Sequence, residues 1–167
     1  MAKKYNKKQL QDWFRGKART AAGFRKNLVS NVERLRDTMA IGKMYFFFYD
    51  PKWKDKLPVY DRFPMVFPIE RYSDGYLCIN LHYLSLGERK ALLDKLLDFA
   101  NNNKFNETTR LQLSYDLLQS TKKLSSLSRP CIKRYLRSQM RSRFVEITAD
   151  EWDRVIELPV EDFVYKR

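Results

Sequence analysis

Lys133, Arg137 and Arg141 recur at i, i+4 and i+8, with Arg134 and Arg143 close by. On a helix this spacing draws a line of positive charge along one face. Such a line can track a phosphate backbone, where each Lys or Arg displaces a condensed counterion. It can equally be a solvated face, or pair with carboxylates of the same chain. A second basic group opens the sequence: Lys3, Lys4, Lys7, Lys8, Arg15, Lys17, Arg19, Arg25 and Lys26, interleaved with Trp13 and Phe14. Aromatic rings among cations suit base stacking, and they suit anchoring on a protein surface as well. Both groups therefore leave two anionic partners open, nucleic acid and the acidic surface of a protein.

Catalysis has less material. Asp50, Asp55, Asp61 and Glu70 gather around a proline-rich stretch and could offer oxygen ligands to Mg²⁺. Lys52, Lys54 and Lys56 interleave with them, the spacing matches no nuclease motif, and Asp61 suits the cap of a turn. The single histidine, His82, could be a general base. It alternates with hydrophobic residues, which favours a packed, hydrogen-bonded role and leaves no histidine for a multi-histidine metal site. Cys78 and Cys131 stand too far apart for a zinc ribbon and read as small core residues, with a reducing compartment as the default. Five glycines form neither a phosphate loop nor G-x-S-x-G. No helix-turn-helix, zinc-finger or RNA-recognition signature is visible. The expectation is a protein with no catalytic residue, no metal and no cofactor.

The positive charge is uneven. Residues 1–43 carry 12 Lys+Arg against 3 Asp+Glu, net +9. Residues 44–103 carry 8 of each, residues 104–143 carry 10 against 2, and residues 144–167 carry 3 against 7. Two basic blocks thus flank a neutral centre and precede an acidic tail, inside a total of +13. This polarity speaks to partners rather than to fold. With 44% hydrophobic and 14% aromatic residues, the 167-residue chain can bury a core and is no disordered polyelectrolyte. No run reaches the roughly 18 apolar residues of a membrane span. The opening MAKKYNKKQLQDWF lacks the apolar stretch of a secretory signal.

The elements that must position these residues follow from periodicity. Residues 1–41 read as a basic helical arm. Leu10, Trp13 and Phe14 form one short stripe, and Leu28, Val32 and Leu35 form another that predicts a helix over 25–38. Residues 42–167 read as a single α+β domain: an aromatic sheet over 43–84, a helical part over 85–143 and an acidic strand and helix over 144–167. KMYFFFYD predicts a strand over 43–50. MVFPIERY predicts another over 65–72, with Pro68 marking an edge or a bulge. Ser73-Asp74-Gly75 predicts a hairpin turn, and YLCINLHYL an alternating strand over 76–84. Ser85 with Glu88 and Thr148 with Glu151 make capping boxes ahead of helices. Residues 107–120 suit a helix better than a strand. Ser128 and Pro130 open a predicted helix over 129–142, Phe144–Ile147 is a short strand, and the last residues trail off. The sum is a small, bent antiparallel sheet of SH3-like barrel character with packed helices and a basic N-terminal arm. The aromatic centre is either core or an exposed protein interface, with Trp53, Tyr60 and Phe63 as interface candidates beside Trp13 and Phe14.

The motifs GKMYFFFYDPK (42–52), LPVYDRFP (57–64) and GYLCINLHYL (75–84), with the C-terminal RPCIKRYLRSQMRSRFVEITADEW and LPVEDF, resemble a structural or assembly family of T4-like contractile-tailed bacteriophages. Cys78 departs from the glycine of that pattern. The resemblance implies a non-enzymatic virion component of neck, tail or baseplate. It would be made in the host cytoplasm, held by contacts with other virion proteins, and present in multiple copies in a symmetric assembly. The alternative is a DNA-binding protein that protects or guides phage DNA through phosphate contacts.

Overall fold

A computed structural model describes Lys8, residues 21–100, Lys104, Asn106, Thr109, Gln112, residues 115–117 and residues 131–166; the side chains of Phe99 and Ala100 are not described. Trp13, Phe14, Lys3, Lys4, Lys7, Arg15, Lys17 and Arg19 of the expected arm lie outside the described residues, as do Ser128 and Pro130. So does most of 107–120, of which Thr109, Gln112 and 115–117 are helical.

In chain order the elements are α1 (Ala21–Val29), β1 (Leu35–Arg36), β2 (Met44–Phe46), β3 (Val59–Asp61), β4 (Met65–Tyr72), β5 (Gly75–Asn80), α2 (Leu86–Ala100), β6 (Ile132–Leu136), β7 (Phe144–Ile147), a one-turn α3 (Trp152–Val155) and β8 (Phe163–Tyr165). Six strands form one antiparallel sheet in the order β1-β7-β2-β4-β5-β6, and β3 pairs with β8 in a separate ribbon. The α+β class with a small antiparallel sheet is as the sequence predicts. Its edges β1 and β6 do not meet, so the sheet is open rather than a closed barrel.

Local chemistry explains several elements. β4 pairs with β5 through a slip of register between Pro68 and Glu70. On its other side β2 reaches only Met65 and Val66, so the missing N–H of Pro68 interrupts no ladder there. Gly75 is required by close approach: a Cβ there would sit 1.9 Å from the carbonyl oxygen of Tyr135. Gly42, at φ 84°, makes the left-handed turn into β2. At the start of α2 the Ser85 N–H donates to Glu88 Oε2 at 2.9 Å, and the Glu88 N–H donates to Ser85 Oγ at 3.3 Å.

Alternation along the strands builds two cores. On one face Met44, Phe46, Met65, Phe67, Ile79 and Val145 pack under Phe24 and Leu28 of α1, Leu93 and Leu96 of α2, and Trp152 and Val155 of α3. On the other, Tyr45, Phe47, Tyr49, Tyr76, Tyr135 and Phe144 form an aromatic layer with edge-to-face rings. Its hydroxyls are satisfied, largely by backbone: Tyr45 Oη accepts the Ala40 N–H, Tyr76 Oη that of Met39, and Tyr49 Oη that of Leu136.

Four expectations are revised. Residues 21–36 are built into the domain, since Phe24 and Leu28 are fully buried and β1 pairs with β7. The helix predicted over 25–38 ends at Val29, and a single tight turn over Val32–Arg34 follows. The helix predicted over 129–142 is instead β6 from Ile132, followed by a tight turn over Arg137–Gln139. The last residues do not trail off but form β8 against β3.

Candidate nucleic-acid interface

Five of the seven carboxylates of the acidic tail pair with cations elsewhere in the chain. Glu146 holds Arg36 and Lys43, Glu151 holds Arg34, and Glu157 holds Lys90. Glu161 holds Arg89, and Asp162 holds Arg25 and Arg62. The partners come from the first two thirds of the sequence, not from the second basic block. The strongest is Arg34 with Glu151, a two-pronged contact at 2.5 and 2.6 Å. Burial works against the Arg34 charge, but its bond to Glu151 overcomes this and raises its pKa.

Among the described residues, Lys133, Arg134, Arg137, Arg141 and Arg143 form no ion pair with that tail. Because residues 132–136 are a strand, Lys133, Arg137 and Arg141 do not form the line expected of a helix. Each takes a separate station. Lys133 lies 4.5 Å above the Tyr83 ring, Arg134 4.1 Å above Tyr72, and Arg137 5.7 Å from Tyr76. Arg134 also bonds Asp74, Arg141 approaches Asp50 at 3.7 Å, and Arg143 bonds Asp37, all in half-exposed or exposed pairs of small energetic weight. Among the described residues no carboxylate pairs with Lys133 or Arg137. Half-burial lowers the Lys133 pKa, so this ammonium gains from an added anion. Lys8 is exposed and lies on a helical residue.

Beside the β6 edge lies a cleft of about 330 Å³. One wall is β6 from Lys133 to Leu136, and the other is the proline loop from Pro51 to Asp61. The loop is fixed rather than free. Lys54 bonds Asp50 at 2.9 Å, β3 is clamped by β8, and Lys166 Nζ donates to the Asp55 carbonyl at 2.9 Å. This arrangement leaves Trp53 standing 56% exposed, with the ammonium groups of Lys52 and Lys56 at 5.2 and 4.8 Å from its ring centre. An exposed cation over a ring is worth about 0.5–1 kcal/mol. A base stacked on an aromatic side chain is worth about 1–3 kcal/mol. A stacking ligand can therefore displace these ammonium groups from the ring and leave them free for phosphate.

The floor of the cleft is a buried polar network. Asp61 Oδ2 meets His82 Nδ1 at 2.6 Å and accepts from Asn80 Nδ2 at 3.1 Å, while Asp61 Oδ1 accepts the Phe63 N–H at 2.9 Å. Asn80 Nδ2 also donates to Tyr135 Oη at 3.0 Å. Burial would raise the Asp61 pKa, but the bonds from His82 and Asn80 prevail and hold it below its ordinary value. Burial pushes the Tyr83 hydroxyl up to about 12. His82 is thus packed and bonded, as its alternation with hydrophobic residues predicts, and its Nε2 is buried without a partner. Among the described residues no three His, Cys, Asp or Glu side chains converge as a metal site.

The cleft unites candidates that were separate in the sequence, Trp53 and the half-buried Tyr60 with Lys133 and Arg134. Phe63, expected at an interface, is instead fully buried and stacked on Phe46 at 5.0 Å. Of the aromatic centre, Tyr45, Phe46, Phe47, Tyr49, Phe63 and Phe67 are core, which settles that alternative for all but Trp53 and the partly covered Phe48 and Tyr60. Arg137, Arg141 and Arg143 do not line the cleft. Tyr83 and Lys52 do, and they stood in plain view in YLCINLHYL and in the proline loop, but only the pairing of β5 with β6 brings Tyr83 under Lys133.

No curated protein and no solved structure matches the chain. A protein family does match, over residues 3–167, and its description is phage T4 terminal DNA protecting protein. The T4-like phage character expected from the motifs holds. The expectation of a neck, tail or baseplate component held by virion contacts is overturned by this match, which favours the DNA-protecting alternative. Spanning nearly the whole sequence, it shows that the chain belongs to the phage T4 terminal DNA protecting protein family.

Proposed function

We propose that this protein binds phage DNA electrostatically and shields its ends, acting by occupancy rather than by catalysis, and that it travels in the virion with the DNA. The observation that carries this reading is the internal use of the acidic tail. Among the described residues it leaves Lys133 and Arg137 without carboxylate partners, beside an edge strand and a cation-rimmed aromatic cleft. A phosphate backbone supplies the missing anion, and counterion release supplies affinity without sequence readout. The family description, protection of terminal DNA, agrees with that chemistry.

The test is a linear duplex challenged with an exonuclease, with and without the protein, across a salt series. Expected are protection that scales with occupancy, DNA recovered chemically unaltered, and affinity that falls steeply as salt rises. No binding to linear duplex at low salt, or binding without protection, overturns the proposal. Detection of the protein in purified particles tests its place in the virion.

A further inference from the structure

We infer that the cleft between the proline loop and the β6 edge receives a single unpaired nucleobase at a DNA strand end, stacked on Trp53, with Lys52, Lys56 and Lys133 facing its phosphates. This deepens the reading above and rests on it. Three observations lead here. The cleft, about 330 Å³, lies at the small end of the range of ligand pockets, roughly 300–1,000 Å³, and suits one base rather than a duplex. Trp53 is a large apolar ring held in solvent by a fixed loop, and the cations over it are weakly held and exchangeable. Among the described residues one carboxylate lines the cleft, Asp61, and it is 1% exposed with its oxygens bonded by His82, Asn80 and the Phe63 N–H, so it forms no ion pair with the lysines of the cleft and leaves them for phosphate.

The restriction to ends comes from stacking geometry. Inside a duplex both faces of every base are covered by neighbours, so a protein ring can stack only after a base is extruded, at a cost. An unpaired terminal nucleotide already offers a free face. A protein with this cleft thus distinguishes a strand end from the interior of the same DNA without reading sequence, because every base has a π face.

The experiment compares three fluorescent DNA probes: a duplex with blunt ends, the same duplex with a short unpaired overhang, and that overhang carrying abasic sites in place of bases. Expected is about tenfold tighter binding to the overhang than to the blunt duplex, with the abasic overhang resembling the blunt one. Trp53→Ala removes the overhang preference, whereas Trp53→Phe retains most of it. Since Trp53 is exposed, neither change threatens the fold, and thermal melting verifies this. Equal affinity for all three probes, or an abasic overhang that binds as well as the intact one, overturns the cleft assignment while leaving DNA binding standing. A Trp53-dependent dimer in sedimentation with no base effect also overturns it, by making a second copy the occupant. No DNA binding at low salt overturns both this inference and the function beneath it.

Discussion

Asp61 Oδ2 and His82 Nδ1 lie 2.6 Å apart with both side chains sealed from solvent, directly beneath the cleft. Burial opposes the Asp61 charge, but the bonds it accepts outweigh that and hold its pKa below the ordinary 3.8. The folded carboxylate therefore takes up a proton less readily than the unfolded one. Its contribution to stability is complete above pH 3.8 and is lost as pH falls through the lower folded value. Urea titrations from neutral to strongly acidic pH test this. Asp61→Asn should cost about 1.5–3 kcal/mol at neutral pH and flatten the acid limb of the stability curve. Parallel curves for the two proteins would refute the assignment.

Arg34 and Glu151 tie the turn after α1 to the start of α3 across 117 positions. The Glu151 side chain is 2% exposed, so removing its partner strands a buried charge. Arg34→Ala should destabilise by about 3–5 kcal/mol, and replacing both residues by apolar ones of similar volume should recover much of the loss. A double-mutant cycle from denaturant melts measures both. Arg34→Lys should fall between, because an ammonium cannot reproduce the two-pronged contact.

Gly75→Ala should detach β6. The added methyl would strike the Tyr135 carbonyl, a backbone atom that cannot rotate away. Overpacking of this kind costs about 1–3 kcal/mol or more. Amide hydrogen exchange should rise along Ile132–Leu136 while β2, β4 and β7 stay protected. Because β6 is a wall of the cleft, DNA affinity should fall with it.

Charge reversals divide the second basic block. Lys133→Glu and Arg137→Glu should each reduce the slope of log affinity against log salt by about 1 or more. Arg143→Glu should do less, since Arg143 already bonds Asp37 and lies away from the cleft. Equal effects at all three positions would mean that a diffuse field, not the β6 face, binds DNA.

Cys78 should resist thiol reagents in the native protein. It is fully buried and free, and burial pushes its thiol well above the ordinary value. Alkylation followed by mass spectrometry should modify it only at denaturant concentrations that unfold the chain.

Elements governed by neighbouring residues were legible in the sequence. β4 and β7 fall on the residues predicted, and the capping boxes at Ser85 and Thr148 form. What could not be read depends on distant partners. Ile132, Tyr135, Leu136 and Met140 fit a helical stripe, yet β5 claims the segment as an edge strand in which only Tyr135 is buried, so no alternation marks it. β1 and β8 have two and three residues, too short to carry a period, and exist only because β7 and β3 receive them. Composition alone does not say that Phe63 is buried on Phe46 while Trp53, ten positions earlier, stands in solvent. The cationic residues of the candidate site were visible as types. Their grouping was not, because it needs the β5–β6 pairing and the β3–β8 clamp.

The strand order carries a consequence for synthesis. β1 and β2 are separated by only a short stretch of sequence, yet β7 lies between them in space. A ribosome that has released the chain only through β6 presents a nascent sheet whose β2 has one neighbour and a bare backbone edge, while β1 has nothing to pair with. The slot closes when residues 144–147 emerge, and Trp152 then covers Phe67. Such late, long-range closure slows folding. Pausing translation just before position 144 should yield a protease-sensitive chain, and releasing it a few residues past α3 a resistant one.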